Sequence, residues 1–300
     1  MNSRLLRLRK GLTRFLLVWL IRLLQLTAHI VPYRLGVWAG GMLGGIAYHA
    51  LPRERSRAVA HLAKAYADKD RSWIIGTAKR CFIHLGKSLF EVLMMTPERA
   101  RRVTVFSGEE EIQKALDEGR GVVVVTGHIG NWELMGQAAT AKNYPMSVIA
   151  APLEPQQVSD FIVSVRARSG VRTILRGRPG AAKEIIRVFK ENRILGILID
   201  QDTDVEGAFV DFMGSPAWTP TAAASMALKF GAPVLFAFTR REGTCRHRVT
   251  VERLSLITTG NVDQDIVMNT AAFTKKIEQS IRACPEQWVW MHRRWRRQHQ

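Results

Sequence analysis

Residues 121–133 read Gly121-Val-Val-Val-Val-Thr-Gly-His-Ile-Gly-Asn-Trp-Glu133. The first six form a short apolar run closed by a threonine. That is the pattern of a strand covered on both faces, as in a parallel sheet. The next seven hold two glycines, a histidine, a carboxylate and Asn131, a residue type that caps helix N-termini. Ligands of open α/β sheets bind at the carboxyl ends of the strands. The stretch therefore predicts both a fold class and a location for chemistry.

Working outward, residues 146–151, 194–200, 232–239 and 247–254 read as further strands. Helical periodicity occupies 131–142, 155–168, 179–191 and 219–230, and a last helix about 263–283 follows the fifth strand. Upstream, 55–66 and 72–95 are helical, the second through a stripe of Ile74, Ile75, Ala78, Phe82, Leu85 and Leu89. Strands alternating with helices predict an α/β fold with a mostly parallel central sheet flanked by helices.

The N-terminus is basic (Arg4, Arg7, Arg9, Lys10, Arg14) and then apolar from Phe15 to Ile21, continuing through Leu23, Leu24, Leu26, Ile30 and Val31. It has no A-x-A-like cleavage site, so a removed signal peptide is not expected. Arg22, Gln25 and His29 fall on one helical stripe. The segment reads as a membrane helix with one protein-facing stripe, as an amphipathic helix in the interface, or as a buried core helix. The uncharged stretch Leu35 to Leu51 has 17 residues, short of the ~20 needed to span, and its glycines allow close helix contact. Arg34, Arg53, Arg55 and Arg57 flank it, so charge bias leaves the topology open. Residues 1–52 are taken as a membrane-associated segment and 53–300 as a catalytic α/β domain.

The 300 residues are 47% hydrophobic and 23% charged, which excludes a disordered or collagen-like chain. Lys and Arg number 44 against 26 Asp and Glu, a net charge of +18. Such an excess calls for an anionic partner: nucleic acid, an anionic membrane, or an acidic substrate or carrier. Cys81, Cys245 and Cys284 are odd in number and far apart, which argues against a disulfide framework or zinc site.

His128 and Glu133 are five apart. On a continuous helix they would diverge, but a turn holding His128 and a first helical turn holding Glu133, capped by Asn131, lets the carboxylate reach one imidazole nitrogen. The other nitrogen is then free to take a proton from a hydroxyl. No G-x-S-x-G string occurs, so a serine acyl-enzyme is not suggested. The same spacing also fits a capping turn with a hydrogen-bonded histidine and no chemistry. Arg166, Arg168, Arg172, Arg176 and Arg178 crowd into 13 positions, suited to phosphate or to a solvated basic face. Asp200 and Asp202 end a strand at the edge that carries His128. They are placed to hold Arg166, to bind sugar hydroxyls, or only to solvate a loop. Trp288, Trp290 and Trp295, interleaved with Arg293, Arg294, Arg296 and Arg297, suit a nucleic-acid platform or a membrane-interface belt. The apolar N-terminus favours the belt.

His128 to Glu133 resembles the H-x4-D/E motif of glycerolipid-type acyltransferases, and Gly127 to Glu133 the corresponding string of the late (secondary) lipid A acyltransferases. The ending Pro285-Glu-Gln-Trp-Val-Trp-Met-His-Arg-Arg-Trp295 is similar to that family's, and Asp200-Gln-Asp202 and Phe212-Met-Gly-Ser-Pro216 fall where it has D-x-D and F-x-G-x-x. The resemblance covers about residues 30–297. Two positions depart from it: His61, where the family often has Asn, and Ala151-Pro152, where many members have Arg-Pro.

The resemblance implies a glycerolipid acyltransferase-like fold and an O-acyltransferase of lipopolysaccharide biosynthesis, on the cytoplasmic face of a bacterial inner membrane. The donor would be acyl-acyl-carrier protein or acyl-CoA, the acceptor a phosphorylated glycolipid of lipid A type. No cofactor, metal or nucleic acid is implied. His128 would act as general base, oriented by Glu133, with turn N–H groups or an arginine on the oxyanion. Arg166 would contact the phosphorylated substrate. Alternatives are another phosphoglycolipid or a lysophospholipid as acceptor, or a non-enzymatic basic protein binding membrane or nucleic acid.

Overall fold

The computed structural model describes residues 31–297. Four helices come first: α1 (Tyr33–Ala50), α2 (Pro52–Ala65), α3 (Arg71–Met94) and α4 (Pro97–Val103). Strands and helices then alternate as β1 (Thr104–Ser107), α5 (Glu110–Asp117), β2 (Val122–Thr126), α6 (Trp132–Ala141), β3 (Met146–Ala150), α7 (Gln156–Arg168), β4 (Arg172–Leu175), α8 (Ala181–Lys190) and β5 (Ile194–Leu198). A hairpin of β6 (Gly207–Phe212) and β7 (Ser215–Pro220) precedes α9 (Ala222–Phe230), β8 (Val234–Glu242), β9 (Arg246–Leu254), α10 (Val262–Ala283) and a 3₁₀ turn at Pro285–Gln287.

Seven strands form one sheet in the order β1-β9-β8-β2-β5-β3-β4. Only the β8–β9 pair is antiparallel. The expected mostly parallel sheet flanked by helices is observed, and the five expected strands are β2, β3, β5, β8 and β9. The short β1 and β4 lie at the two edges, where polar residues leave no apolar run to read.

All five residues of β2 are buried. Alternate side chains go to opposite faces of a sheet. Val123 and Val125 join the core beneath α3, α9 and α10, while Val122 and Val124 join a second core with α5 and α6. The central strand is thus held from both sides, and its carboxyl end is a fixed platform.

The uncharged stretch after Arg34 forms α1, packed on α3. A Cβ at Gly40 would lie 2.5 Å from the Gly86 carbonyl oxygen, so the two backbones touch where no side chain intervenes. The apolar run at 15–31 falls almost wholly outside the described residues. Among the described residues no helix is long and apolar enough to cross a membrane.

Candidate active site

β2 and β5 pair in parallel with Val122 opposite Ile194 and Thr126 opposite Leu198. Two residues further along each chain, that register sets His128 beside Asp200. The imidazole Nδ1 lies 2.7 Å from Asp200 Oδ1, and the His128 backbone N–H donates to Oδ2 at 2.6 Å. The Trp288 indole N–H donates to the same Oδ2 at 2.7 Å. Gly127 makes this approach possible: a Cβ there would stand 2.9 Å from Oδ2. Gly130 has φ +61°, and a Cβ on it would overlap the Thr239 carbonyl oxygen.

Burial alone would raise the Asp200 carboxyl, but the imidazole and these three hydrogen bonds outweigh it and hold the group well below the usual carboxylate range. An ionised Asp200 accepts from Nδ1–H, so Nε2 carries the lone pair. The Gln201 amide nitrogen lies 3.0 Å from Nε2, placed to donate to it.

The carboxylate on the imidazole is therefore Asp200, and the expected pairing of Glu133 with His128 does not form. Asn131 does cap α6, accepting from the Leu134 N–H at 3.1 Å, and Glu133 does sit in the first turn. Its carboxylate turns instead to α7, where Arg166 grips it through Nε at 2.8 Å and Nη2 at 2.5 Å. Arg166 accordingly meets neither Asp200 nor Asp202. Asp202 is buried two residues past Asp200, where the loop turns toward the C-terminal segment; it accepts the Arg297 backbone N–H at 2.8 Å and pairs with Arg296 at 3.3 Å.

The sequence matches the family of bacterial lipid A biosynthesis acyltransferases over residues 6–297. The chain belongs to that family. A lipid A biosynthesis acyltransferase of Haemophilus influenzae is 23% identical over 279 residues, 91% of this chain and 86% of the relative. A lipid A biosynthesis palmitoleoyltransferase of Escherichia coli is 26% identical over 279 residues, 89% and 86% of the two chains. A phosphatidylinositol mannoside acyltransferase of Mycobacterium tuberculosis is 25% identical over 193 residues, 64% of this chain. That match spans 60% of the mycobacterial relative's length.

The family's C-terminal string is a buried strap. Ile129 bridges to Trp288, Trp288 and Trp290 are fully buried, and Trp290 donates to the Pro285 carbonyl at 2.6 Å. Arg294, also buried, donates to the Trp218 carbonyl at 2.5 Å and to Thr219 Oγ1 at 2.6 Å, and lies over the Phe212 ring. These three residues serve neither an interface belt nor a nucleic-acid platform. The turn amides are committed as well: Ile129 N–H to the Gly127 carbonyl and Gly130 N–H to the Gln287 carbonyl, both at 2.8 Å. They are not the free oxyanion donors expected.

Residues not singled out earlier also line the site. The His292 ring lies 5.5 Å from that of His128, and the Trp132 ring 4.9 Å. Burial, with His128 beside it, pushes the His292 imidazole down to about 4, so it is neutral near pH 7. Both His292 and Gln201 sit inside motif strings quoted above, which was their only signal. A second buried network supports the turn from behind. Glu91 of α3 accepts from Arg241 of β8, from His247 Nε2 of β9 at 3.0 Å and from Asn131 Nδ2 at 2.9 Å. Burial would raise the Glu91 carboxyl, but His247 and Arg241 hold it down to about 2.

An apolar groove of about 230 Å³ runs between α3 and α7, lined by Leu85, Leu89, Val92, Phe161, Ile162 and Val165 and headed by Trp132 and Glu133. A larger depression of about 390 Å³ lies at the opposite end of the strands, around Arg120, Pro233 and Arg253, and holds none of these site residues. Among the described residues no group of three or more His, Cys, Asp or Glu is placed to hold a metal ion.

Proposed function

We propose that this protein moves a fatty acyl chain from a thioester donor, acyl-acyl-carrier protein or acyl-CoA, to a hydroxyl of a phosphorylated glycolipid of lipid A type. One observation carries the reading: an imidazole held through Nδ1 by a buried carboxylate lies beside Trp132, which heads an apolar groove between α3 and α7. The acyl chain lies in the groove with its thioester carbonyl near His128. The acceptor hydroxyl takes the place that the Gln201 amide holds against Nε2. Nε2 accepts the hydroxyl proton while the oxygen attacks the carbonyl carbon. The tetrahedral adduct then expels the thiolate, which leaves with that proton. Asp200 stabilises the imidazolium formed on the way. With the turn amides committed, His292 and Gln201 are the donors beside the imidazole for the developing oxyanion.

Family membership and the relatives named for lipid A biosynthesis support the acceptor class. The net charge of +18 suits a phosphorylated acceptor and an acidic carrier. The mycobacterial relatives favour a second reading, in which the acceptor is another phosphoglycolipid. Mass spectrometry of lipids from a deletion strain carrying the wild-type or the His128→Ala gene tests both. The expected result is one acyl chain missing from a phosphoglycolipid, restored only by the wild type. A lipid profile that His128→Ala restores equally well would sink the enzymatic reading.

A further inference from the structure

The arginines that crowd residues 166–178 are separated by the fold. Arg166 is held by Glu133, and Arg172 pairs with Glu191 at 3.6 Å. Arg168 ends α7 and Arg172 begins β4, so both lie at the amino end of that strand, opposite the edge that carries His128. Arg176 and Arg178 follow its carboxyl end. No Asp or Glu occurs between Asp160 and Glu184, and neither guanidinium has a carboxylate partner among the described residues. The strand registers then place Arg176 in the row of the His128 turn. Thr126 lies opposite Leu198, Val148 opposite Gly196 and Ala150 opposite Leu175. One residue further, the row reads Gly127, Ile199, Ala151 and Arg176, and the Arg176 backbone N–H donates to the Ala150 carbonyl at 3.0 Å. Three strand spacings of ~4.8 Å put Arg176 about 14 Å along the edge from the turn. That is too far for the reacting atoms and within reach of a headgroup.

We propose that Arg176 and Arg178 form a phosphate-binding subsite for a substrate whose reacting group lies at His128. Three observations support it. The C-terminal strap closes the β8 side of the turn, where Gln287 Oε1 accepts the Arg241 N–H at 2.8 Å, so a headgroup extends toward β3 and β4 instead. Ala151 and Pro152, at the end of β3, are exposed and bring no polar side-chain atom to that path, which leaves recognition to the next strand. Ala151 also departs from the Arg-Pro pattern of the family, and Arg176 is its neighbour in the row, so a cation is present at this edge from a different strand. A planar guanidinium takes a phosphate through two parallel hydrogen bonds, and two guanidinia without carboxylate partners match its double charge. The phosphate is that of the acceptor's headgroup or of the donor's pantetheine arm. That it arrives on a substrate rests on the acyltransferase reading above; the affinity of the pair for phosphate does not.

Equilibrium binding to the full-length protein tests this without turnover. The probes are a lipid A-type glycolipid in detergent, the same lipid after phosphatase treatment, palmitoyl-CoA, and palmitoyl-N-acetylcysteamine, a thioester with no phosphate. Arg176→Gln/Arg178→Gln should melt like the wild type. It should lose about tenfold or more in affinity for one phosphorylated probe and nothing for its phosphate-free counterpart. Loss on the lipid assigns the subsite to the acceptor, and loss on palmitoyl-CoA assigns it to the donor. Arg176→Lys/Arg178→Lys, which keeps the charge without the fork, should fall between. Ala151→Arg in the Arg176→Gln protein should restore most of the lost affinity, and failure to restore it overturns the placement in this row. Unchanged affinity for both phosphorylated probes overturns the proposal, as does an equal loss on the phosphate-free ones. If the wild type binds the phosphorylated lipid through these arginines but transfers no acyl group, the acyltransferase reading fails and the subsite stands. If the Gln variant transfers acyl groups with both affinities unchanged, the subsite fails and the acyltransferase reading stands.

Discussion

Glu133 and Arg166 face each other as a fork, Oε2 to Nε at 2.8 Å and Oε1 to Nη2 at 2.5 Å. The two acids of the site thus have separate duties. Asp200 holds the His128 imidazole, and Glu133 ties the first turn of α6 to α7 at the head of the groove.

That division is testable by coupling. Removing either member of the fork leaves the other charge unanswered, at about 1.5–3 kcal/mol for hydrogen bonds to charged groups. Glu133→Ala and Arg166→Ala should therefore share one defect in melting and in donor KM, and the double variant should be little worse than either. Arg166→Lys, which keeps the charge and loses the fork, should fall between. Additive effects in a double-mutant cycle would refute the pairing.

His128→Ala should lower kcat by about 10²–10⁴-fold, the range of a general base. Asp200→Asn should act through the same step, because an amide cannot hold the imidazole tautomer as a carboxylate does. The His128→Ala/Asp200→Asn protein should be no slower than His128→Ala alone, whereas Glu133→Gln should still slow the Asp200→Asn protein further. Single-turnover kinetics on matched amounts of protein decide this.

Acid should destabilise the fold in two limbs. Asp200 and Glu91 are held below their ordinary values of 3.8 and 4.5. Their stabilisation is complete above those values and is lost as pH falls below them, where the unfolded chain takes up protons first. Buried His84 and His292 are pushed down to about 3 and about 4 from 6.5, so the unfolded chain binds their protons below 6.5 and stability starts to fall there. Urea midpoints from pH 7.5 to 2.5 should show both limbs, and His292→Gln should reduce the upper one.

The network behind the turn should matter for folding more than for binding. Glu91→Ala leaves Arg241 buried without its carboxylate, a loss of about 3–5 kcal/mol. Asn131→Ala removes the α6 cap, worth about 1 kcal/mol, together with its bond to Glu91. Denaturant unfolding of the two variants gives the comparison.

Much of this was legible in the chain before any coordinates. Val122–Val125, Ile194–Leu198 and Val234–Phe238 are buried strands because they are uninterrupted apolar runs, and Asn131 caps a helix because of its chemistry and place. Partners were less legible. His128 lies 72 residues from Asp200, and they meet because β5, not the next strand in sequence, is the neighbour of β2. The i, i+5 spacing to Glu133 was the nearer candidate, and α7 took it. The Trp- and Arg-rich ending has the composition of a surface belt, and only packing against Phe212, Trp218 and Asp200 distinguishes a strap from one.

The contact from Trp288 to Asp200 has a consequence for how the protein is made. Synthesis runs from the amino end, so β2, the turn and β5 exist long before residue 288 does. Until then Asp200 lacks one of its donors, Ile129 its bridging strand and Gly130 N–H its acceptor on Gln287. A nascent or prematurely terminated chain would carry a nearly complete sheet with an unset imidazole. The turn that carries His128 is therefore set only once the segment around Gln287 and Trp288 has docked, even though every strand of the sheet precedes it in the chain.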